Sequence, residues 1–196
     1  MRENTLANRL FNKTIAAIKR RLENIRVYYI KCHGDDVEYL RHLGVHVGEH
    51  CDIYTHPHNF GTEPWLVEIG SKVTIGGGVQ FITHDGSSRL FRERLPGMNP
   101  YGNRFGTIIV HDNCFIGNCA ILLPGIEIGP DSVVGAGSVV TKSVPPGMIY
   151  AGNPAHAIKT LDEYIASYAQ RMIPLSATDR DSLRDELTTK LWRSKR

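Results

Sequence analysis

The sequence predicts a mainly β protein, a parallel β-helix wound from six-residue repeats, and three observations carry that expectation. Val110, Ile116, Leu122, Ile128, Val134 and Val140 follow one another at intervals of six, with glycine at 117, 129 and 135. Four residues after each stand Cys114, Ala120, Ile126, Ser132, Ser138 and Val144, mostly small, as a tight interior corner requires. Upstream, Ile69, Ile75 and Phe81 keep the same period with Val73 and Val79 at the corner place, and Val47 with Ile53 begins it weakly. The period has a simple physical sense: each repeat supplies a short strand and a turn, and three repeats close one triangular coil. One apolar side chain per strand points inward, each strand hydrogen-bonds to its copies in neighbouring coils, and only the two ends of the stack need covers.

Ahead of the repeats, residues 4–30 read as a helix that Asn4 can cap. Phe11, Ile15, Ile18, Leu22, Ile25 and Tyr29 alternate spacings of four and three, which lays one apolar stripe along a face that must pack against something. Lys13, Lys19, Arg20, Arg21 and Arg26 lie mostly off the stripe and read as a solvated face, leaving membrane contact at most peripheral. A second helix is expected over about Asp35 to Leu43, stopped by Gly44. The separation of Phe81 from Val110 is not a multiple of six, so an insertion is expected between them, from His84 to Gly106. It is longer than ordinary connections and mixes Arg89, Arg92, Arg94 and Arg104 with Phe91, Tyr101 and Phe105, side chains suited to a sugar or an acidic group. Pro145-Pro146-Gly147 and Ala151-Gly152-Asn153-Pro154 are expected to stop the coil, and residues 160–172 and 178–192 read as helices. The expected organisation is a helical region over 1–44, the β-helix over 45–159 with its inserted loop at 84–106, and a helical tail over 160–196.

Composition narrows the function. The 196 residues are 41% hydrophobic and 22% charged, a globular balance. The longest apolar runs, such as 119–123, are far short of the roughly 20 residues that cross a bilayer. The opening Met1-Arg-Glu-Asn-Thr leads into a charged stretch and not an apolar one, so a cytoplasmic protein is expected. The formal charge is +3, distributed as +4 over 1–45, −2 over 46–159 and +1 over 160–196, so the repeats offer no basic face to nucleic acid. The four cysteines lack C-x-x-C spacing and are expected reduced and mostly buried. His42, His46 and His50 have the spacing of a helical metal site, but Gly44 and Gly48 argue against a helix there, and no metal is expected. Neither a P-loop nor a G-x-G-x-x-G element is present, which argues against an NTPase or dinucleotide enzyme.

The run IGNCAILLPGIEIGPDSVVGAGSVVTKSVPPGMIYAGNPAHAIK, residues 116–159, resembles the C-terminal half of the left-handed β-helix acyltransferases. Among these are galactoside, maltose and streptogramin-type xenobiotic O-acetyltransferases and enzymes that decorate capsule or lipopolysaccharide sugars. With the earlier coils and the loop, the resemblance covers about 45–159. It implies a left-handed winding, against the usual right-handed crossover preference, a homotrimer, and transfer of an acyl group, usually acetyl, from acetyl-CoA to a hydroxyl or amine. It also implies a histidine base at the loop, and the matching residue is His84, which closes the strand Val79–Thr83 and opens the insertion. An imidazole with pKa near about 6.5 is suited to taking a proton from an attacking hydroxyl.

The same resemblance carries Asn118, Ala136, Thr141 and Lys142 onto the pantetheine and phosphate path of acetyl-CoA, with His156 and Lys159 beyond. His156 stands where arginine is often found. Lys142 and Lys159 are the only cations in 107–159, as a phosphate-bearing ligand would need. Small residues at 135–137 also suit a plain coil corner. Asp85 is the neighbouring carboxylate available to orient the imidazole, and with Tyr101, His56 and His58 it is expected on the acceptor side, although the two histidines around Pro57 suit a surface turn better. The expected activity is O-acetylation of a sugar or sugar-containing acceptor. An amino-sugar N-acetyltransferase, a streptogramin-type drug acetyltransferase and a non-catalytic β-helix scaffold are the alternatives, and a scaffold would need neither His84 nor the lysine pair.

Overall fold

The computed structural model describes residues 13–19, 21–22, 25, 36–95 and 104–192, so Tyr101 lies outside the described residues. The chain forms two compact units, Met1–Leu161 and Asp162–Arg196. In the first, the helix α1 (Asp36–His42) precedes strands β1 (His46–Val47), β2 (Asp52–Ile53), β3 (Val67–Ile69), β4 (Thr74–Ile75) and β5 (Gln80–Phe81). A short pair, β6 (His84–Asp85) and β7 (Arg104–Phe105), brackets the insertion. Then come β8 (Ile108–Val110), β9 (Phe115–Ile116), β10 (Ile121–Leu122), β11 (Ile126–Ile128), β12 (Val133–Val134), β13 (Val139–Val140), β14 (Met148–Gly152) and β15 (Ala155–Thr160).

Three parallel ladders stack these strands as the coils of a β-helix. The first runs β1-β3-β8-β11, the second β2-β4-β9-β12-β14, and the third β5-β10-β13. Val110 lies opposite Ile128, Ile116 opposite Val134 and Leu122 opposite Val140, each pair eighteen residues apart. The apolar residue of each repeat is the inward one: Ile69, Ile75, Phe81, Val110, Ile116, Leu122, Ile128, Val134 and Val140 are all at most 2% exposed. The corner residues are buried too, and the polar ones are satisfied there. Ser132 Oγ donates to the Pro145 carbonyl, Ser138 Oγ accepts from the Gly152 N–H, and Cys114 Sγ donates to the Gly129 carbonyl. Burial pushes the Cys114 thiol up to about 11. Cys51 is half-buried and Cys119 exposed, so only one of the three described cysteines is the buried residue expected, and all three are free thiols.

Close coil stacking explains the glycines. At Gly117 an added Cβ would run into the backbone of Ala136 in the next coil. At the opposite kind of corner, Asn113 and Asp131 take positive φ, a region their short polar side chains tolerate, and Asn113 Nδ2 donates to Asp131 Oδ1.

The N-terminal end is covered by α1, whose Leu40 is fully buried in the core with Val45 and Phe60. Arg41 fastens this cover by donating to the Val47 and Gly48 carbonyls. Residues 13–19, 21–22 and 25 are helical as expected, but among the described residues of the stripe Ile18, Leu22 and Ile25 are more than half exposed. The coil also does not stop at Pro145. β14 adds one more parallel rung beside β12, held by the Ser132 and Ser138 hydroxyls, and β15 folds back antiparallel on it. In the second unit, α2 (Leu161–Ala169) begins at the boundary and α3 (Arg180–Trp192) follows a loop tied to it by Glu186, which accepts from the Ser176 and Ala177 N–H groups. No residue of either helix is buried.

Candidate active site

The site begins with a departure from the repeat. Between β2 and β3 the chain makes the turn Pro57–Phe60, and Phe60 fills the place of a third strand by stacking on Phe81, with ring centroids 4.4 Å apart. Gly61 then turns with φ 74°, in contact range of Thr83 that no side chain would leave open. This combination lays residues 62–64 against the end of β5, beside Thr83 and His84.

Glu63 is the consequence. Its Oε2 lies 2.9 Å from His84 Nδ1 and accepts from the buried Thr83 hydroxyl at 2.6 Å, while Oε1 accepts from the Thr62 hydroxyl at 2.7 Å. Burial pushes the Glu63 carboxyl up, but the hydrogen bonds from Thr83, Thr62 and His84 outweigh it and hold the group below its ordinary value. A carboxylate can only accept, so the shared proton sits on Nδ1 and the lone pair of the neutral ring is on Nε2. The ring rests against Phe105, centroids 5.5 Å apart, where β7 pairs with β6.

Two hollows share Ile82 and His84. The first, of about 510 Å³, is walled by Tyr39, Leu43, His58, Thr62 and Pro64. The second, of about 490 Å³, is walled by Asp85, Arg104, Leu123, Pro124 and Thr141. Of the expected residues, His84, Asp85 and Thr141 therefore meet at the second hollow and His58 reaches the first, with His56 stacked on it at 4.6 Å. Asp85 turns its carboxylate to the Ser87 N–H at 2.8 Å, and that backbone bond lowers its pKa; the carboxylate bonded to the imidazole is Glu63.

Asn118, Ala136 and His156 follow a different corner. Asn118 Oδ1 accepts from the Gly77 N–H at 2.9 Å, its carbonyl accepts from Gly137, Ala136 packs on Gly117, and His156 pairs with Ala151. Lys142 is exposed beside Thr141, and Lys159 lies on β15 opposite Ile149. Asn118 and Ala136 thus precede strands of the third ladder and Thr141 and Lys142 follow it, while Lys159 lies beside the second ladder. His42 ends α1 while His46 is on a strand, so those histidines share no helical face, and among the described residues no metal-ligating cluster forms.

Comparison with known proteins locates the chain. A family described as bacterial transferase hexapeptide (six repeats) matches residues 107–142. Protein CapG of Staphylococcus aureus is 47% identical over 126 residues, 64% of this chain and 71% of that protein. A 2,3,4,5-tetrahydropyridine-2,6-dicarboxylate N-acetyltransferase of Clostridium perfringens is 51% identical over 55 residues, 28% of this chain and 23% of that one, so this second likeness spans less than a quarter of the relative. Among solved structures, a hexapeptide-repeat containing acetyltransferase from Vibrio cholerae, complexed with acetyl coenzyme A, superposes with a TM-score of 0.51 at 22% identity. The match covers 81% of this chain and 92% of that one, a likeness of fold.

Proposed function

The chain belongs to the bacterial hexapeptide-repeat transferases, and from that premise we propose that it is an acetyl-CoA-dependent O-acetyltransferase acting on a hydroxyl of a sugar or sugar-containing acceptor. The observation that carries the reading is the Glu63–His84 pair at the mouth of the two hollows. Glu63 holds the Nδ1 proton, which leaves His84 Nε2 to take the acceptor's hydroxyl proton. The acceptor oxygen then forms a bond to the acetyl carbon as the carbon–sulfur bond breaks, and His84 returns the proton to the departing thiol. A backbone N–H would stabilise the charge developing on the acetyl oxygen. The imidazolium formed in between is stabilised by the adjacent carboxylate.

Thr141 and Arg104 on the second hollow, with Lys142 beside it, suit the donor; Asn118, Ala136, His156 and Lys159 are proposed for the same ligand. Because these groups divide between different corners of the coil stack, we assign the complete site to the junction of neighbouring copies in a left-handed homotrimer. An outward row of Thr74, Phe115 and Val133, aligned across the second ladder, offers apolar surface for such packing. The donor is a cytoplasmic metabolite, so this reading implies a cytoplasmic enzyme and, with a sugar acceptor, a step in polysaccharide assembly. No helix among the described residues is long and apolar enough to cross a membrane.

Thiol release from acetyl-CoA, followed with neutral glycosides, oligosaccharides, nucleotide sugars, amino sugars and streptogramins, tests the reading. Release with a hydroxyl acceptor is expected. Folded protein that releases no thiol with any of them would return the chain to the scaffold class. Sedimentation at micromolar concentration tests the assembly, and a stable, active monomer would remove it.

A further inference from the structure

His84 takes its orientation from Glu63, and both oxygens of that carboxylate are themselves held. Oε1 accepts from the Thr62 hydroxyl at 2.7 Å, while Oε2 accepts from the Thr83 hydroxyl at 2.6 Å and lies 2.9 Å from His84 Nδ1. We propose that Thr83, with Thr62 as its outer counterpart, is a positioning residue for the transfer reaction: its hydroxyl keeps Glu63 ionised and turned to His84, and so acts on proton transfer through the carboxylate. The inference rests on the O-acetyltransfer reading above and adds to it the residues that hold its base in place.

The geometric argument is one of lone pairs. A carboxylate oxygen offers two, and on Oε2 the Thr83 hydroxyl and the His84 ring take both. Turning the group to exchange its oxygens would break the Thr62 and Thr83 bonds together, so the lone pair that meets Nδ1 has one position. Thr83 can serve as the anchor because it is fixed on every side. It is 1% exposed, and its Oγ1 fills space that Gly61 leaves open, where a Cβ would lie 2.5 Å away. Its carbonyl accepts from the Gly106 N–H at 3.0 Å, and the Ile82 N–H before it donates to the Leu122 carbonyl at 2.9 Å. The clamp therefore stands where the coil gives way to the insertion and where the insertion returns.

The balance of charge gives the second argument. Burial is the largest single influence on Glu63 and raises its pKa, and Thr83 is the strongest of the groups that oppose it, ahead of Thr62 and His84. Removing that hydroxyl would let the carboxylate take up a proton at higher pH, and a neutral carboxyl no longer stabilises the imidazolium formed during transfer. The other titratable or charged groups facing the pair are Tyr39 and His58 on the first hollow and, opposite each other on β6 and β7, Asp85 and Arg104. Asp85 gives its carboxylate to the Ser87 N–H.

The experiment uses the full-length protein. Thr83→Val keeps the shape and removes the donor, whereas Thr83→Ser keeps the donor. Thr83→Val should lower kcat about tenfold, a part of the roughly 10²–10⁴-fold worth of a general base, and leave the KM for acetyl-CoA unchanged. The acid-side fall of its rate–pH profile should move up by about one pH unit, the worth of a hydrogen bond to a charged group. A carbon-13 NMR titration of the Glu63 carboxyl should move in the same direction. Thr83→Ser should keep most of the rate and the wild-type profile, and Thr83→Val should add little to the loss already caused by Glu63→Gln. A threonine that only supports the fold predicts the opposite: a lower melting temperature, an unmoved profile and titration, and a loss of rate that adds in full to that of Glu63→Gln. That result would overturn the inference. Thr62 is exposed, so Thr62→Val should fold even where Thr83→Val does not, and an unmoved Glu63 titration in it would then overturn the clamp. Wild-type protein that releases no thiol with any acceptor would remove the underlying reading, a failure told apart from the first because the titration needs no turnover.

Discussion

Glu63 and His84 are twenty-one residues apart in sequence and 2.9 Å apart in space, joined by a carboxylate oxygen and a ring nitrogen. The pair depends on Gly61 and on the Phe60–Phe81 stack, so the geometry of a polar contact is set by an apolar one.

Replacing His84 tests its proposed role as base. His84→Ala should lower kcat by roughly 10²–10⁴-fold, the usual worth of general-base catalysis. The melting temperature should hardly move, because the ring is partly exposed and the strand pair β6–β7 is held by backbone bonds. Turnover near the wild-type value in a well-folded His84→Ala protein would end the mechanism.

Glu63 is proposed to act through His84. Glu63→Gln keeps the shape but removes the negative charge, so kcat should fall by part of that same roughly 10²–10⁴-fold while the KM for acetyl-CoA stays put. Glu63→Ala should in addition cost about 1–3 kcal/mol, since the buried Thr83 hydroxyl loses its acceptor. If Glu63→Gln is fully active, the carboxylate has no part in orienting the ring.

Acidification gives an independent readout of Glu63. Its folded-state pKa is lowered, so the native state binds this proton less readily than the unfolded chain. The stabilisation is therefore fully present above the ordinary glutamate value of about 4.3 and is lost as pH falls through the lowered value. Wild-type stability measured against pH should decline over that acid window, and Glu63→Gln should show a shallower decline; parallel curves would contradict the assignment.

Lys142→Ala and Lys159→Ala should each raise the KM for acetyl-CoA about fivefold, corresponding to about 1 kcal/mol for an exposed charge contact, and leave the acceptor KM nearly unchanged. An unmoved KM in the double variant would take both lysines out of the donor site.

Gly117→Val should lower stability by about 1–3 kcal/mol or more, because its side chain would be driven into the Ala136 backbone. The melting temperature measures this. A neutral result would mean that neighbouring coils can separate at that corner.

The coil core was legible because a solenoid repeats its chemistry: each inward residue from Val110 to Val140 announces the next. His84 was legible as the residue at which the period breaks. Glu63 was not, because its place is decided by a turn outside the period and by contact with a strand twenty residues later. The available signal was the interruption itself, a carboxylate within Gly61–Pro64 where Ile53 and Val67 fall out of phase. The hairpin β14–β15 was hidden for a related reason. Pro145-Pro146 and Asn153-Pro154 read as stops, yet buried serine hydroxyls carry the chain through one further rung. The stripe Ile18, Leu22, Ile25 shows a further limit, since periodicity identifies an apolar face without identifying what it meets.

The eighteen-residue spacing of the ladders also governs how the length of this chain can change. Deleting or duplicating one residue within 108–140 would rotate every later inward side chain off the axis, whereas removing or adding a whole coil would leave each remaining residue facing as before. The insertion obeys a different rule. Because β6 and β7 pair at its base, the coil leaves and resumes at a fixed point whatever lies between them. A change of length within 86–103 would therefore leave both the coil and His84, on β6, where they are.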